Sequence, residues 1–276
     1  MDRPDAAEDE LASATSNQSV MMSARILGEL ANSLQPLGVT ELARRLDESK
    51  ARIFRHLATM KQVGFVSQEH AGDDYCLGWN IYRLGVAAAE QFGLMRVAQR
   101  HLTNLRDLTQ ETTALAIPAS GDALVAGSVQ SERQIALSVK QGVVIGANSS
   151  ALGRVILAFS PPAIQKRVLA RPRKAFSPFS LVKPGELEAR LERTRANWWE
   201  VAVNENAYGI ATLAAPVFDE KNNILAAVSI VSSAMKVQEE PDEALIQAVQ
   251  ACAAAISADF NSAAWVQREK EKAARK

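Results

Sequence analysis

The sequence predicts an α+β chain of two units joined by a helix, and three observations carry that expectation. Helices, a tight turn and a short hairpin follow one another between Ser19 and Leu77. Alternating, β-like runs then mix with helical periodicity as far as Phe260, the pattern of an α+β layer fold. Apolar residues make up 47% of the 276 residues and charged residues 22%, enough to fill two ordinary cores.

Val20, Ala24, Leu27 and Ala31 recur at helical spacing and mark a first amphipathic helix. Ser33-Leu34-Gln35-Pro36-Leu37-Gly38 breaks it. Thr40 is positioned to cap a short helix, Glu41 to Leu46, with Val39, Leu42, Ala43 and Leu46 inward. Asp47-Glu48 makes a tight connection, Ser49 caps a third helix to about Val63, and Gly64 stops it. Phe65 to Ser67 and Tyr75 to Leu77 read as short strands around the loop His70-Ala71-Gly72-Asp73-Asp74. That order is a winged helix-turn-helix.

From Trp79 a helical stretch runs to about Thr109, interrupted at Gly93. Ala114 to Ile117, Ala123 to Val129 and Ile135 to Val139 alternate as strands, and Ser149-Ser150 precedes the helical run Ala151 to Phe159. Pro161-Pro162 closes that helix and opens another, and Pro184 stands first in a helix to about Ala196. Ala211 to Val217 and Leu225 to Val231 read as buried strands joined by a turn over Asp219 to Asn223. A closing helix from Asp242 turns Leu245, Ile246, Val249, Cys252, Ala253, Ile256 and Phe260 inward.

Net charge is zero, so any basic surface is local. Between Arg44 and Lys61 stand six basic residues (Arg44, Arg45, Lys50, Arg52, Arg55, Lys61) against Asp47 and Glu48. On the third helix Ile53, Leu57 and Met60 form the buried stripe, and Arg52, Arg55 and Thr59 fall opposite it, with Lys50 at the amino end. Guanidiniums on an exposed helix can clamp phosphate or read guanine in the major groove. Arg44, Lys50, Arg52, Arg55 and Thr59 are therefore the candidate DNA-binding residues, whereas His56 lies at the apolar edge as a boundary residue.

The segments Ser19-Val20, Ala24 to Leu27, Thr40 to Leu46, Arg55-His56-Leu57, Gly64-Phe65-Val66 and Tyr75 to Gly78 resemble the IclR family of bacterial regulators. Ala151 to Ala158, Gly209 to Asp219 and Ala226 to Ile230 resemble the same family's second half. The likeness runs in order over residues 18 to 260. It implies residues 17–78 as a winged helix-turn-helix DNA-binding domain, 79–92 as a linker helix, and 93–265 as a GAF/PAS-like effector-binding domain. Residues 1–16 are left as a disordered acidic tail and 266–276 as a charged tail. It implies as partners a duplex operator with palindromic or repeated half-sites, a small-molecule effector, and a second copy, as dimer or dimer of dimers. The function implied is a ligand-responsive repressor of a catabolic operon, released or modulated by a small organic-acid-type metabolite; an activator with the same parts is the alternative.

By the resemblance the effector lies among Ser150, Ala151 and Leu152 at a helix amino end, Glu205 and Ile210 of a loop, and Thr212 and Ser229 of the sheet, with Trp198 and Trp199 as an apolar wall. Each has an ordinary structural alternative. Ser149 or Ser150 serves as a helix cap, one tryptophan as core or subunit contact, Ser229 bonds only to backbone, and Glu205 is solvated. The sequence departs from the family at Ala51-Arg52 for Ser-Thr, at Arg154 for Lys, at Ala202 for an acidic residue and at Val231 for a serine. Those last two changes imply a less polar pocket than in members that take very small keto acids.

Other classes are set aside on chemistry. His56, His70 and His101 are scattered, and no nucleophile elbow, P-loop or metal-spaced His-Cys cluster is present, so neither enzyme nor cofactor is expected. The remaining rival is a metabolite-processing enzyme with a vestigial DNA-binding module. Cys76 and Cys252 form no CxxC pair and fit a reducing cytosol, and no apolar run reaches the ~20 residues of a membrane span. The expected location is the cytoplasm.

Overall fold

In the computed structural model, residues 17–33, 35–68 and 73–274 are described. The expected tail at residues 1–16 and the hairpin residues His70, Ala71 and Gly72 lie outside them, as does Leu34. The chain divides between Phe92 and Gly93 into two compact units.

In the first unit, helix α1 spans Gln18–Asn32, capped by the Asn17 side chain, which accepts from the Ser19 amide. A two-residue strand β1, Leu37–Gly38, leads into α2, Val39–Leu46. The sequence places Thr40 as cap, but the cap lies two residues earlier at Gly38, with no side-chain hydrogen bond. Asp47 then takes a left-handed conformation, φ 53°, which closes the turn. Ser49 caps α3, Lys50–Gln62, by accepting from the Arg52 amide. Strands β2, Val66–Gln68, and β3, Asp74–Leu77, pair antiparallel, and β1 joins the far edge of β3 to give the order β1-β3-β2. Met22, Ile26, Leu30, Leu42, Leu46, Ile53, Leu57 and Met60 are buried together in one core. On α1 this is not the stripe expected from the sequence: Val20, Ala24 and Ala31 are exposed and Leu27 is half-buried, because the longer Met22, Ile26 and Leu30 face α2 and α3. Arg25 ties α1 to α2 by donating to the Leu46 carbonyl at 2.9 Å. Helix α4, Trp79–Phe92, ends the unit.

The second unit opens with α5, Leu94–Thr109, then strands β4, Thr112–Ala119, and β5, Asp122–Val129. Ile135 to Val139, expected as a strand, forms none. Side-chain hydroxyls anchor it instead: Thr112 donates to the Leu137 carbonyl and Ser128 to the Val139 carbonyl. The edge of β5 pairs with the short β6, Val144–Ile145. Helices α6, Ala151–Phe159, α7, Pro162–Leu169, and α8, Glu186–Asn197, follow. Strands β7, Glu200–Val203, β8, Ile210–Phe218, and β9, Ile224–Ser233, complete an antiparallel sheet of order β6-β5-β4-β9-β8-β7. Helix α9, Glu243–Asp259, is capped by Asp242, and the stretch read from sequence as a charged tail continues as helix α10, Ala264–Ala274. Its Trp265 is buried and donates to the Pro216 carbonyl at 3.1 Å, which is why the segment is ordered against the sheet. Among the described residues no helix is long and apolar enough to cross a membrane.

Alternation sorts the sheet into two unlike faces. Leu115, Leu213, Val217, Val228 and Ile230 meet α5 and α9, while Ala116, Ala214 and Ala227 meet α6. The alanine face lets α6 approach closely, and Gly153 lets the turn before α6 fold against the helix. A Cβ at Gly153 would lie 2.8 Å from both the Gly146 carbonyl oxygen and the Ala147 amide. Gly153→Ala is expected to destabilise the protein by about 1–3 kcal/mol through overpacking. Urea unfolding checks it, and a loss within error of zero contradicts this packing.

Candidate functional sites

At the amino end of α6 a cavity of about 300 Å³ opens in the second unit. That is the lower end of the range for small-molecule sites. Its floor is one cross-strand row of the sheet, Ala202, Thr212 and Val231, in register across β7, β8 and β9. Two of the three are positions where the sequence departs from the family pattern, so methyl groups stand where an acid and a hydroxyl are common. Ser149, Ser150 and Leu152 form one wall, Glu205, Asn206 and Ile210 another, and Ser138 to Lys140 with Val143 to Gly146 a third. Phe176, half exposed, lines it from a loop between α7 and α8.

Of the residues expected to hold an effector, Ser150, Leu152, Glu205, Ile210 and Thr212 line this cavity. Ala151 is buried just behind it at the first turn of α6. Ser229 is one row further along the sheet, paired with Ala214, and is fully buried with its hydroxyl unpartnered. Trp198 and Trp199 do not line the cavity. Trp198 ends α8 with φ 61° and packs edge-on against Phe159 and Trp265 and tilted against Phe218, where core burial claims its ring. Trp199 instead carries the Arg193 guanidinium at 5.7 Å. Ser150 does both things considered for it: it caps α6 through the Gly153 amide and lines the cavity. Ser149 is 1% exposed and its hydroxyl has no partner. The first amides of a helix have no acceptor within it, so this corner offers donors to an anion.

Glu205 is not solvated. Its carboxylate receives both terminal nitrogens of Arg154, at 2.6 and 2.8 Å, and both residues are buried. Arg154 also donates to the carbonyls of Ala147 and Val201, and its Nε lies 3.4 Å from Glu200. Arg190 and Thr194 of α8 complete the cluster on Glu200. Burial pushes the Glu205 carboxyl up despite Arg154. At Glu200 burial acts the same way, but Arg154 and Arg190 outweigh it and hold the group below the usual carboxylate range. The Glu205 carbonyl in turn accepts from Ser177 and Ser180, which fastens the loop carrying Phe176. The sequence does hold a signal for this cluster: Arg154 is the lone charge in an otherwise apolar helix. Nothing in its pattern marks Phe176 or Lys140.

In the first unit, Lys50, Ala51, Phe54, Arg55, Ala58 and Thr59 form the exposed face of α3. Among the described residues Lys50 and Arg55 make no ion pair, whereas Arg52 bonds Glu48 at 2.9 and 3.1 Å and Arg44 bonds Glu41 at 2.7 and 2.9 Å. Arg44 and Arg45 hold Glu41 at about 2. His56 accepts its place at the boundary, with Nδ1 3.0 Å from the Ser23 hydroxyl of α1. No group of three metal-ligating side chains occurs among the described residues.

A helix-turn-helix with a wing, followed by a cavity-bearing α+β unit, defines a DNA-binding transcription regulator rather than an enzyme. Residues 19–70 match the IclR helix-turn-helix domain, and residues 86–258 match the bacterial transcriptional regulator IclR C-terminal domain. The chain belongs to the IclR family of bacterial transcriptional regulators. It is 30% identical to the glycerol operon regulatory protein of Streptomyces coelicolor, over 89% of this chain and 97% of that one. It is 26% identical to the transcriptional repressor IclR of Escherichia coli, over 81% and 82%. The crystal structure of an IclR regulator from Alicyclobacillus acidocaldarius superposes with TM-score 0.75 at 27% identity, covering 90% of this chain and all of that one. An IclR homologue from Microbacterium hydrocarbonoxydans, complexed with 4-hydroxybenzoate, shares the fold at TM-score 0.71 and 18% identity, covering 88% and 99%.

Arg154→Ala leaves the buried Glu205 carboxylate without its ion-pair partner, while Glu200 keeps Arg190 and Thr194, and is expected to cost about 3–5 kcal/mol, with Arg154→Lys costing less because the charge is kept. The midpoint of urea unfolding reads both. Equal losses for the two, or a loss under about 1 kcal/mol for alanine, contradict the assignment.

Proposed function

We infer that the protein is a ligand-responsive repressor of a catabolic operon, held on its operator by α3 and modulated by a small organic acid in the cavity beside α6. The observation that carries the reading is the Ser149–Ser150 corner. An unpartnered buried hydroxyl and free helix amides meet at the end of a chamber whose floor is apolar apart from Thr212. That combination suits a carboxylate on an apolar body. The Microbacterium homologue's 4-hydroxybenzoate is a ligand of that chemical kind. A ligand that binds unequally to DNA-competent and incompetent arrangements shifts their populations.

On the DNA side, Lys50, Arg55 and Thr59 are ready to meet a duplex as they stand. Arg44 and Arg52 reach phosphate by leaving Glu41 and Glu48; the exposed Arg44–Glu41 pair is worth about 0–1 kcal/mol, so that exchange is cheap, whereas the Arg52–Glu48 pair is half-buried. An operator of paired half-sites and a dimer, or dimer of dimers, belong to the same reading.

Ser149→Ala and Thr212→Val are expected to weaken the effect of an inducing acid on DNA binding while leaving ligand-free DNA affinity unchanged. Gel-shift titrations with and without the acid check this, and parallel loss of both properties contradicts it. Lys50→Ala is expected to lower the slope of log K against log salt by about 0.9, one phosphate contact. An unchanged slope removes Lys50 from the interface.

A further inference from the structure

Phe54 is 55% exposed in the middle of the DNA-facing helix. Phenylalanine has only middling helix propensity and contributes nothing to the core from this position, so neither requirement accounts for it. Ala51 and Ala58 are exposed on the same face, three residues before and four after it. The three make an apolar stripe, with Lys50 and Arg55 beside it. Two methyl-sized residues let the helix axis come close to whatever the phenyl ring touches.

The other flank of the ring is the shallow groove shared with Thr40, Glu41 and Asp74. Glu41 is neutralised by Arg44 and Arg45, but Asp73 and Asp74 in the same groove make no ion pair among the described residues and disfavour phosphate, so the contact open to this side of α3 is with base edges. The one apolar group a base pair presents in the major groove is the thymine 5-methyl. We propose that Phe54, framed by Ala51 and Ala58, reads thymine in each half-site through that methyl, and so sets part of this protein's operator preference. Positive charge at Lys50 and Arg55 is what commits the occupant of this stripe to duplex DNA, and the proposal rests on the reading of α3 as the DNA-contacting helix.

The test uses the full chain. Duplexes are enriched from a randomised pool by the wild-type protein, and the recovered half-site is resynthesised with each thymine replaced in turn by uracil, which lacks only the methyl. At one position the wild type is expected to lose affinity about fourfold, the worth of one buried methyl-sized group. Phe54→Ala is expected to bind the thymine duplex about as weakly as the wild type binds the uracil one, and to show no further loss with uracil. Phe54→Leu, still apolar, is expected to keep part of the sensitivity. Because the side chain is exposed, melting temperature stays close to wild type in both variants, which separates recognition from folding. Equal uracil sensitivity in wild type and Phe54→Ala, or none in wild type, overturns the role of Phe54 alone. Failure to enrich any sequence overturns it together with the reading of α3.

Discussion

A guanidinium with no solvent exposure in the middle of an apolar helix has to be neutralised from elsewhere in the chain, and Arg154 draws Glu205 and Glu200 to it. That requirement joins α6 to the start of β7, to α8 through Arg190 and Thr194, and to the loop before β8. The loop from Lys174 to Leu181 is then fixed at one remove, because Ser177 and Ser180 donate to the Glu205 carbonyl. Every wall of the cavity except the segment from Ser138 to Gly146 therefore depends on one buried ion cluster. Replacing such a cluster by apolar residues is often neutral for stability, whereas removing a single partner is not. Its value here is geometric, since it holds polar groups still around a chamber floored by alanine and valine.

The two faces of the sheet explain why the chamber exists at all. Large side chains on one face fill the space under α5 and α9, while alanines on the other bring α6 down onto the sheet. Gly153 lets the turn before α6 fold against the helix, and the chamber is what remains beyond that turn. In the row Ala202, Thr212 and Val231, only Thr212 brings a hydroxyl.

Much of this was legible in the sequence because periodicity and turn chemistry are local. The stripe of Ile53, Leu57 and Met60 and the Ser49 cap locate α3 without any tertiary knowledge. Ser150, Leu152, Glu205, Ile210 and Thr212 were reachable through the family pattern, and the fold gathers them. What failed was decided by distant partners. Trp198 and Trp199 look like a pocket wall until Phe159, Phe218 and Trp265 are seen to enclose one and Arg193 to cover the other. Ile135 to Val139 alternates like a strand, but Thr112 and Ser128 take up its carbonyls. The charge count from Arg44 to Lys61 likewise leaves out Glu41 and does not say that Glu41 and Glu48 engage three of those six cations.

The central claim is that occupancy of the cavity and grip on DNA are one linked equilibrium, and linkage is reciprocal in binding free energies. The direct measurement takes a small carboxylic acid that raises the melting temperature of the full chain and determines four constants: acid affinity with and without the enriched duplex, and duplex affinity with and without the acid. The account predicts that the acid changes duplex affinity by a factor clearly different from one and that the duplex changes acid affinity by that same factor. An acid that fills the cavity, as shown by its loss of binding in Thr212→Val, yet leaves duplex affinity unchanged would contradict it.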